Sequence, residues 1–557
     1  MKKIKRLLAL ALSVAMVISL VACGTPDTTK TTEADKKTDA PTQGGTPEGT
    51  EASTGEEETG ITYPLDTDVK VSLWTAILAL NSDYNDFSES PYHTGLSMNT
   101  GVEIEWLAPM AGQNSTDAYN LLWTEKTFPD VIYHKQSLKK VGQLYDDGLI
   151  WDLTPYIEQY APDYWAALQK SETLYKSATT SDGKILAFFA LRETDWGAVS
   201  YGPQIRKDWL DEQKLEAPVT LADWENVLTV FKEKYNATLG FASAMLKSVF
   251  FAPGAGCYNT GSNGGDGVFF KDDNGEIQCT YLTPEWKTYM ETLRRWYVNG
   301  LIDPDSLTMN AAAVRTKAAN NQIGASYGVM SQLTNFNTDA ETNKTGAVWT
   351  GAVNLRTEAG KPPFNIRGGG GGVTGSSAVI TKSCSEEKLI EVIKFLNYGY
   401  TEEGFMYNNF GTLGDTYTLD ANGLAQWTDK VANDPQGQNA LTKYTGSSSL
   451  PIGIQADQFL KLKNHPLTAG AVDLWIKDFD SENNHKFYTA ELTEEESLIY
   501  TNRMANIDTY VNEMVQKFIL GTESLDNIDA FYKQLETLGI NECLYVTRAA
   551  YARYEAR

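Results

Sequence analysis

The chain has 557 residues, which at about 150 residues per domain corresponds to two to four domains. Its 72 acidic residues outnumber its 47 lysines and arginines, and the formal net charge is −25. A surface of that sign repels phosphate backbones and anionic headgroups, which excludes nucleic-acid binding and argues against adsorption to anionic lipid.

The first 22 residues have the pattern of an export signal. A basic start with Lys2, Lys3, Lys5 and Arg6 precedes an apolar run from Leu7 to Val21, shorter than the about 20 residues a spanning helix needs. The sequence Leu20-Val21-Ala22-Cys23 resembles the lipobox of bacterial lipoproteins, which makes Cys23 the predicted lipidated residue. The alternative is an ordinary secretory signal with a chance cysteine. Both place the protein outside the cytoplasm, and lipidation would anchor it to the outer face of the cell membrane.

Residues 23–62 are predicted to be a disordered linker. They are rich in Thr, Gly, Pro and Glu and carry almost no large apolar residue, so they cannot bury enough surface to fold. A flexible coil of this length spans about 35 Å, which would hold a folded body away from the membrane.

Alternating apolar residues predict the first strands of the folded part. Val69, Val71 and Leu73 alternate with polar neighbours and lead to Trp74, and Val102, Ile104 and Trp106 form a second such pattern. A helix is predicted over 116–124. The turn Phe128-Pro129-Asp130 then leads into a third, buried strand, and Asp130 is expected to buttress that strand. Strands separated by helices indicate a mainly parallel sheet.

Later helices are predicted from their capping signals. These signals are Thr220 to Asp223, Thr283-Pro284-Glu285, Ser385 and Thr493 to Glu496. Asp272-Asp273-Asn274-Gly275 predicts a hairpin turn, because the spacing does not suit a calcium loop. The five glycines 368–372 favour a bendable crossing between domains, with a plain surface loop as the alternative.

Motifs of the common catalytic sites are missing from the sequence. It contains four histidines and no HExxH, GxSxG, GxGxxG or GxxxxGK[ST] pattern, so no metal or cofactor is expected. The numerous acidic residues leave a glycosidase pair open. Cys257 and Cys279 could form a disulfide, or they and the remaining Cys384 and Cys543 could be free buried thiols.

Several segments, taken in order, resemble the extracellular solute-binding proteins of carbohydrate ABC importers, and in particular their long lipoprotein branch. The segments are 128–132, 147–154 with 160–162, 181–185, 205–210 with 218–220, 296–304, 402–404, 538–540 and 549–554. Each segment alone is weak evidence for the resemblance, but their order over nearly the whole mature chain is strong evidence for it.

The resemblance implies a two-lobed α/β fold of the periplasmic-binding-protein type (type II), with flanking helices and a hinge of crossing strands. The expected division of the folded part is 63–190 in lobe 1, 191–370 in lobe 2, 371–445 again in lobe 1, and 446–557 in lobe 2 with the C-terminal helices. The implied protein is a monomer and not an enzyme. It would capture an oligosaccharide between the lobes and deliver it to the membrane subunits of a permease.

The ligand residues are expected at the loops that follow the strands, where open parallel sheets bind ligands. Lobe 1 would contribute Trp74, Asn81, Tyr133 and His134. The second lobe and the crossings would contribute Trp196, Ser243, Lys247, Tyr327 and Arg367. Trp74, Trp196 and Tyr327 would stack on sugar rings, and Arg367 would donate a fork of hydrogen bonds. Packing in the core is the alternative for Trp74, and a structural histidine is the alternative for His134.

Two other functions remain open on the sequence. A surface glycoside hydrolase would carry two carboxylates flanking a cleft and would turn its ligand over. A polysaccharide-adhesion protein anchored in the same way would have no deep cleft.

Overall fold

The computed structural model describes residues 60–76, 87–110, 113–125, 128–199, 201–248, 251–258, 268–364, 372–447, 451–478 and 486–557. The predicted signal and nearly all of the predicted linker lie outside these ranges. In the described ranges no helix is long and apolar enough to cross a membrane.

The strands, in chain order, are β1 (Lys70–Thr75), β2 (Glu103–Leu107), β3 (Val131–Lys135), β4 (Phe188–Arg192), β5 (Tyr201–Arg206), β6 (Thr238–Leu239), β7 (Phe269–Lys271), β8 (Ile277–Cys279), β9 (Ile323–Val329), β10 (Trp349–Gly351), β11 (Val373–Ile380), β12 (Tyr417–Leu419), β13 (Ala425–Trp427) and β14 (Ile454–Gln455).

The helices, in chain order, are α1 (Pro91–Thr100), α2 (Ser115–Glu125), α3 (Leu138–Asp146), α4 (Thr154–Tyr160), α5 (Pro162–Leu168), α6 (Glu172–Ala178), α7 (Lys207–Gln213), α8 (Leu221–Tyr235), α9 (Pro284–Val298), α10 (Ala311–Ala319), α11 (Met330–Thr342), α12 (Glu386–Asn397), α13 (Glu402–Phe410), α14 (Asp429–Ala432), α15 (Leu441–Tyr444), α16 (Asp457–Lys463), α17 (Pro466–Ile476), α18 (Glu494–Leu520), α19 (Ile528–Leu538) and α20 (Ile540–Glu555).

Two separate sheets organise the folded part. The first has the strand order β14-β4-β11-β3-β1-β2, and the second has the order β10-β5-β9-β6. β1 pairs in parallel with β2 and β3, and β6 pairs in parallel with β9. The three predicted strands are therefore present, and the prediction of an α/β fold is confirmed. The two sheets are mixed rather than mainly parallel, because β11 and β5 each pair antiparallel with both of their neighbours.

In the two main sheets, β11 and β5 run antiparallel to their neighbours, and each is the first strand after the chain arrives from the other sheet. β11 runs antiparallel to β3 and β4, and β5 runs antiparallel to β9 and β10. The chain passes from β4 in the first sheet to β5 in the second, and from β10 in the second sheet back to β11 in the first. A strand that enters at the edge where the neighbouring strands end must run opposite to them, which explains both exceptions.

Each sheet has its own hydrophobic core. One cluster contains Val71, Ile132, Phe188 and Val379 from the first sheet, together with side chains of α3, α6 and α12. Another contains Ile205, Leu239 and Ala325 from the second sheet, together with side chains of α8, α9, α18 and α20. The sheets therefore belong to two lobes, called lobe 1 and lobe 2 below. The exact lobe boundaries inferred from the sequence remain a prediction.

The capping signals form the helices they predict, with two differences in detail. Reciprocal capping boxes join Thr220 to Asp223 at the start of α8 and Thr493 to Glu496 at the start of α18. Ser385 and Thr283 precede α12 and α9 without a side-chain cap. The Thr283 hydroxyl instead donates to the Thr280 carbonyl oxygen at 2.8 Å, because a short 3-10 turn precedes α9.

The hairpin predicted at 272–275 is confirmed. The Asp272 Oδ1 atom accepts hydrogen bonds from the backbone N–H groups of Asn274 and Glu276, and Gly275 has a φ of 84° between β7 and β8. The four cysteines in the described residues are free, buried thiols. Burial raises the pKa of each of these thiols.

Candidate functional site

The carboxyl ends of the strands mark where the two lobes meet. In lobe 1 the parallel strands β1, β3 and β4 end at Thr75, Lys135 and Arg192 on one edge of the sheet. In lobe 2 the strands β6, β9 and β10 end on one edge as well, and β5 begins there. The crossing segments leave from these two edges, so side chains that follow the strands lie beside the junction of the lobes.

An aromatic group forms this edge of lobe 1. Trp74 and His134 are 5 % and 7 % exposed, and their ring centroids lie 5.6 Å apart in an edge-to-face arrangement. Tyr119, from α2, stacks on His134 with centroids 4.5 Å apart. The Tyr119 hydroxyl donates to Gln136 Oε1 at 2.8 Å, and Gln136 Nε2 donates to the Ser377 carbonyl oxygen at 3.0 Å. The group therefore ties β1, β3, α2 and β11 together.

His134 is held neutral in this group. Burial, with a smaller contribution from the neighbouring Lys135, lowers the pKa of His134 to about 4. Its Nδ1 atom is buried and has no hydrogen-bond partner in the described part of the chain. A neutral imidazole has one donor and one acceptor nitrogen, which suits hydroxyl groups better than a charged ligand.

Tyr133 and Tyr327 lie in the cores of the two lobes. Tyr133 is 0 % exposed, and its hydroxyl donates to the Pro451 carbonyl oxygen at 3.0 Å. Tyr327 is 1 % exposed and belongs to the core cluster of lobe 2. Side chains alternate across a strand, so Tyr133 points away from the face that carries His134. In this structure neither ring offers a surface to a ligand, and we leave both out of the proposed site.

Trp196 lies at the first crossing between the lobes, in a 3-10 turn over Asp195–Ala198. It is 3 % exposed, its indole Nε1 donates to Asp473 Oδ1 at 2.7 Å, and the Lys461 Nζ atom lies 5.5 Å from its ring centroid. Asp473 and Lys461 belong to α17 and α16, so the indole is packed between the first crossing and these two helices.

Of the remaining candidates, only Ser243 has a side chain among the described residues. Ser243 is half-buried just after β6, and its backbone N–H donates to the Met309 carbonyl oxygen at 2.9 Å. Asn81, Arg367, Cys23 and the side chain of Lys247 lie outside the described residues.

Charged residues that sequence analysis did not single out surround the first crossing. Burial lowers the pKa of Arg192 and of Lys486, and Asp195 opposes both shifts. Burial raises the pKa of Asp457, whose Oδ2 atom accepts a hydrogen bond from Thr194. These residues come from segments more than 260 residues apart in the chain, so no local pattern could have grouped them.

Asp130 lies at the opposite end of β3 and does buttress that strand. Its Oδ2 atom accepts hydrogen bonds from the Ser72 backbone and hydroxyl, both at 2.9 Å, and from Lys388 Nζ at 2.8 Å. The carboxylate thereby joins β1, β3 and α12 on the edge away from the crossings. Across the described ranges, no group of three or more His, Cys, Asp or Glu side chains could hold a metal ion.

Comparisons with known proteins extend over most of the chain. No family model matches it. Lipoprotein LipO of Bacillus subtilis is 24 % identical over 491 residues, which is 82 % of this chain and 88 % of LipO. The fructooligosaccharide ABC transporter substrate-binding protein FusA of Streptococcus pneumoniae is 23 % identical over 525 residues, which is 89 % of this chain and 93 % of FusA.

Solved structures share the same architecture. The structure of FusA with kestose matches with a TM-score of 0.65 at 20 % identity and covers 88 % of this chain and 99 % of FusA. The alginate-binding protein AlgQ2 without calcium matches with a TM-score of 0.66 at 24 % identity and the same two coverages. The predicted resemblance is thus confirmed: the chain has the two-lobed fold of solute-binding proteins and is similar along most of its length to substrate-binding proteins of carbohydrate ABC transporters.

Proposed function

We propose that this protein is the extracellular substrate-binding lipoprotein of an ABC importer. It captures an oligosaccharide between its lobes and hands it unchanged to the membrane subunits of its permease. The observation that carries this proposal is the pair of α/β lobes joined by crossing segments, with aromatic and neutral polar side chains at the facing edge of lobe 1. The names of the similar proteins support a sugar as the ligand.

The proposed contacts follow from sugar chemistry. Sugar rings have apolar faces edged with hydroxyl groups, which aromatic rings and neutral hydrogen-bonding groups recognise together. We assign stacking to Trp74 and Trp196, and hydrogen bonding to His134 and Ser243. Asn81, Lys247 and Arg367 complete the proposed set.

We further propose that the protein is a monomer anchored through lipid on Cys23. The net charge is −25 for the whole chain and more negative once the basic signal is removed, which keeps the folded body off the anionic membrane surface while the linker holds it within reach of the permease. Membrane fractionation of cells tests the anchor. Cys23→Ser should release the protein from the membrane fraction, whereas Cys543→Ser, which changes a buried thiol of α20, should leave it there.

The function is tested by thermal unfolding of residues 24–557 with a panel of oligosaccharides and, separately, with peptides. A ligand at a hundred times its dissociation constant stabilises the folded state by about 2.7 kcal/mol, which is a clear shift in melting temperature. We expect one class of oligosaccharide to give that shift and to be recovered intact by mass spectrometry. A shift with peptides and none with sugars would overturn the sugar assignment, and shortened sugar products would overturn the assignment as a non-enzyme.

A matched pair of variants tests the site. Trp196→Phe removes the indole that bonds to Asp473, and we expect it to weaken sugar binding about two- to tenfold, the range that stacked aromatic contacts contribute. Trp165→Phe changes a half-buried tryptophan on α5 of lobe 1 that packs edge-to-face on Tyr175, outside the proposed set of ligand residues, and should leave the affinity unchanged. Equal effects of the two would remove Trp196 from the site.

A further inference from the structure

Besides the crossing segments themselves, the helix α20 of lobe 2 joins the two lobes. Val141 and Leu144 of α3, and Leu174 and Ala178 of α6, pack in the core of lobe 1. Side chains of α18 and α20 pack in the core of lobe 2. Every contact between these two pairs of helices therefore joins the lobes.

Arg557, just after α20, makes the most extensive of these contacts. Its Nη2 atom donates to the carbonyl oxygens of Thr179 and Thr180 at 2.9 and 2.8 Å and to the Thr179 hydroxyl at 3.0 Å. Its Nη1 atom donates to the Lys176 carbonyl oxygen at 3.3 Å. These acceptors lie in and just beyond the last turn of α6, where unpaired carbonyl groups and the helix dipole attract a cation.

Two further contacts support the same junction. The ammonium group of Lys176, which is largely buried, lies 5.0 Å from the ring centroid of Tyr554 on α20. The Lys139 Nζ atom, near the start of α3, donates to the Ser497 hydroxyl in the first turn of α18. We call this junction the clasp. Its lobe 2 side is Ser497, Tyr554 and Arg557, and its lobe 1 side is Lys139, Lys176 and the end of α6.

The lobe 2 side of the clasp is also braced by contacts within lobe 2. The segment 486–491 lies along α20, since the Ala490 N–H donates to the Ala550 carbonyl oxygen at 3.0 Å and the rings of Tyr488 and Tyr554 are 5.9 Å apart. Arg553 Nη2 donates to the Glu491 carbonyl oxygen at 3.0 Å. These contacts hold Tyr554, one partner of the end of α6, and a partner already held in place loses less entropy on contact.

We propose that the clasp is a ligand-independent latch that holds the two lobes in the arrangement of this structure, so that the lobes must release Arg557 before they swing apart. When two arrangements of a hinge have similar free energies, a contact made in only one of them shifts the population toward that arrangement. Hydrogen bonds to a charged group are strong enough to change the ratio of the two arrangements by about tenfold. The latch would then slow the entry of a ligand as well as its escape.

The test uses ligand-free protein, so it does not depend on the identity of the sugar or on the transport function. Small-angle X-ray scattering of residues 24–557 measures the radius of gyration for the wild type, Arg557→Ala and Lys139→Ala. The matched control is Arg503→Ala, which breaks an arginine–carboxylate pair to Glu542 wholly within lobe 2. Circular dichroism verifies that each variant is folded.

We expect the wild type and Arg503→Ala to scatter alike, and Arg557→Ala to show a larger radius of gyration with faster amide exchange in the last turn of α6. Lys139→Ala should shift the radius in the same direction by a smaller amount, and it replaces the arginine variant if that one does not fold. Identical radii for all four proteins would overturn the latch, because they would mean that the clasp lies on the pivot and persists when the lobes move. A wild type that is already extended in solution would overturn it as well.

Discussion

Gly202, at the start of β5, lies where the first crossing enters lobe 2 and where α17 packs on the sheet. A Cβ atom added to it would lie 2.1 Å from Trp475 Cε2 and 2.5 Å from Trp475 Nε1, distances that real structures do not tolerate. The indole cannot yield easily, because it is fully buried and its Nε1 atom donates to the Ala352 carbonyl oxygen at 2.8 Å. Gly202→Ala must therefore displace either the strand or the helix.

The expected cost follows from these contacts. Overpacking a close-packed core costs about 1–3 kcal/mol, and straining the buried indole hydrogen bond adds about 1 kcal/mol. Gly202→Ala should thus lower the free energy of unfolding by about 2–4 kcal/mol, a large share of the about 5–15 kcal/mol of a folded domain. The effect should appear in lobe 2, since both residues belong to it.

Gly470 provides the control within the same helix. It lies in the exposed part of α17 and nothing is within 4 Å of an added Cβ, so Gly470→Ala should stabilise the helix by about 0.5–1 kcal/mol. Urea unfolding followed by tryptophan fluorescence, with hydrogen exchange to assign the lobe, measures both variants. An unchanged midpoint for Gly202→Ala would show that β5 and α17 do not pack as the structure has them, and would refute the reasoning.

Three further predictions concern polar groups. Burial lowers the pKa of His134 to about 4 and that of His93 to about 3. The unfolded chain therefore binds more protons than the folded one below about pH 6.5, and the free energy of unfolding should fall from pH 6.5 to pH 4. His134→Asn should make that fall smaller. Asp130→Ala should destabilise lobe 1 by about 2–3 kcal/mol in urea unfolding, because it leaves the Ser72 N–H and the partly buried Lys388 unpaired; a loss below 0.5 kcal/mol would contradict the buttressing role. Asp473→Ala should cost about 0.5–1.5 kcal/mol by removing the acceptor of the Trp196 N–H at an exposed position that water can then reach, whereas Asp473→Asn keeps an acceptor and should cost less.

Local signals account for the part of the fold that the sequence predicted. Alternation in Val69, Val71 and Leu73 reports the two faces of one strand, and the pairs Thr220 with Asp223 and Thr493 with Glu496 report helix starts within four residues. Such signals need no knowledge of the rest of the chain. The order of the family-like segments then identified the two-lobed fold, which no single segment could have done.

The site was harder to predict because its geometry depends on distant residues. Tyr133 and His134 are neighbours in sequence, yet Tyr133 faces the core of lobe 1 and His134 faces the aromatic group with Trp74 and Tyr119. Only the pairing of β3 with β11 decides which side chain faces which side. Trp196 meets its acceptor Asp473 across 277 positions of the chain. The sequence pattern of α2 does not show where that helix packs, so it could not reveal that Tyr119 stacks on His134.

The most direct test of sugar capture without cleavage is a calorimetric titration of residues 24–557 with defined oligosaccharides, followed by mass spectrometry of the recovered sugar. We expect saturable binding of one sugar per protein molecule, with an affinity that Trp196→Phe weakens and with the sugar returned at its original length. Absence of binding to every sugar in a broad panel, or recovery of shortened products, would contradict it.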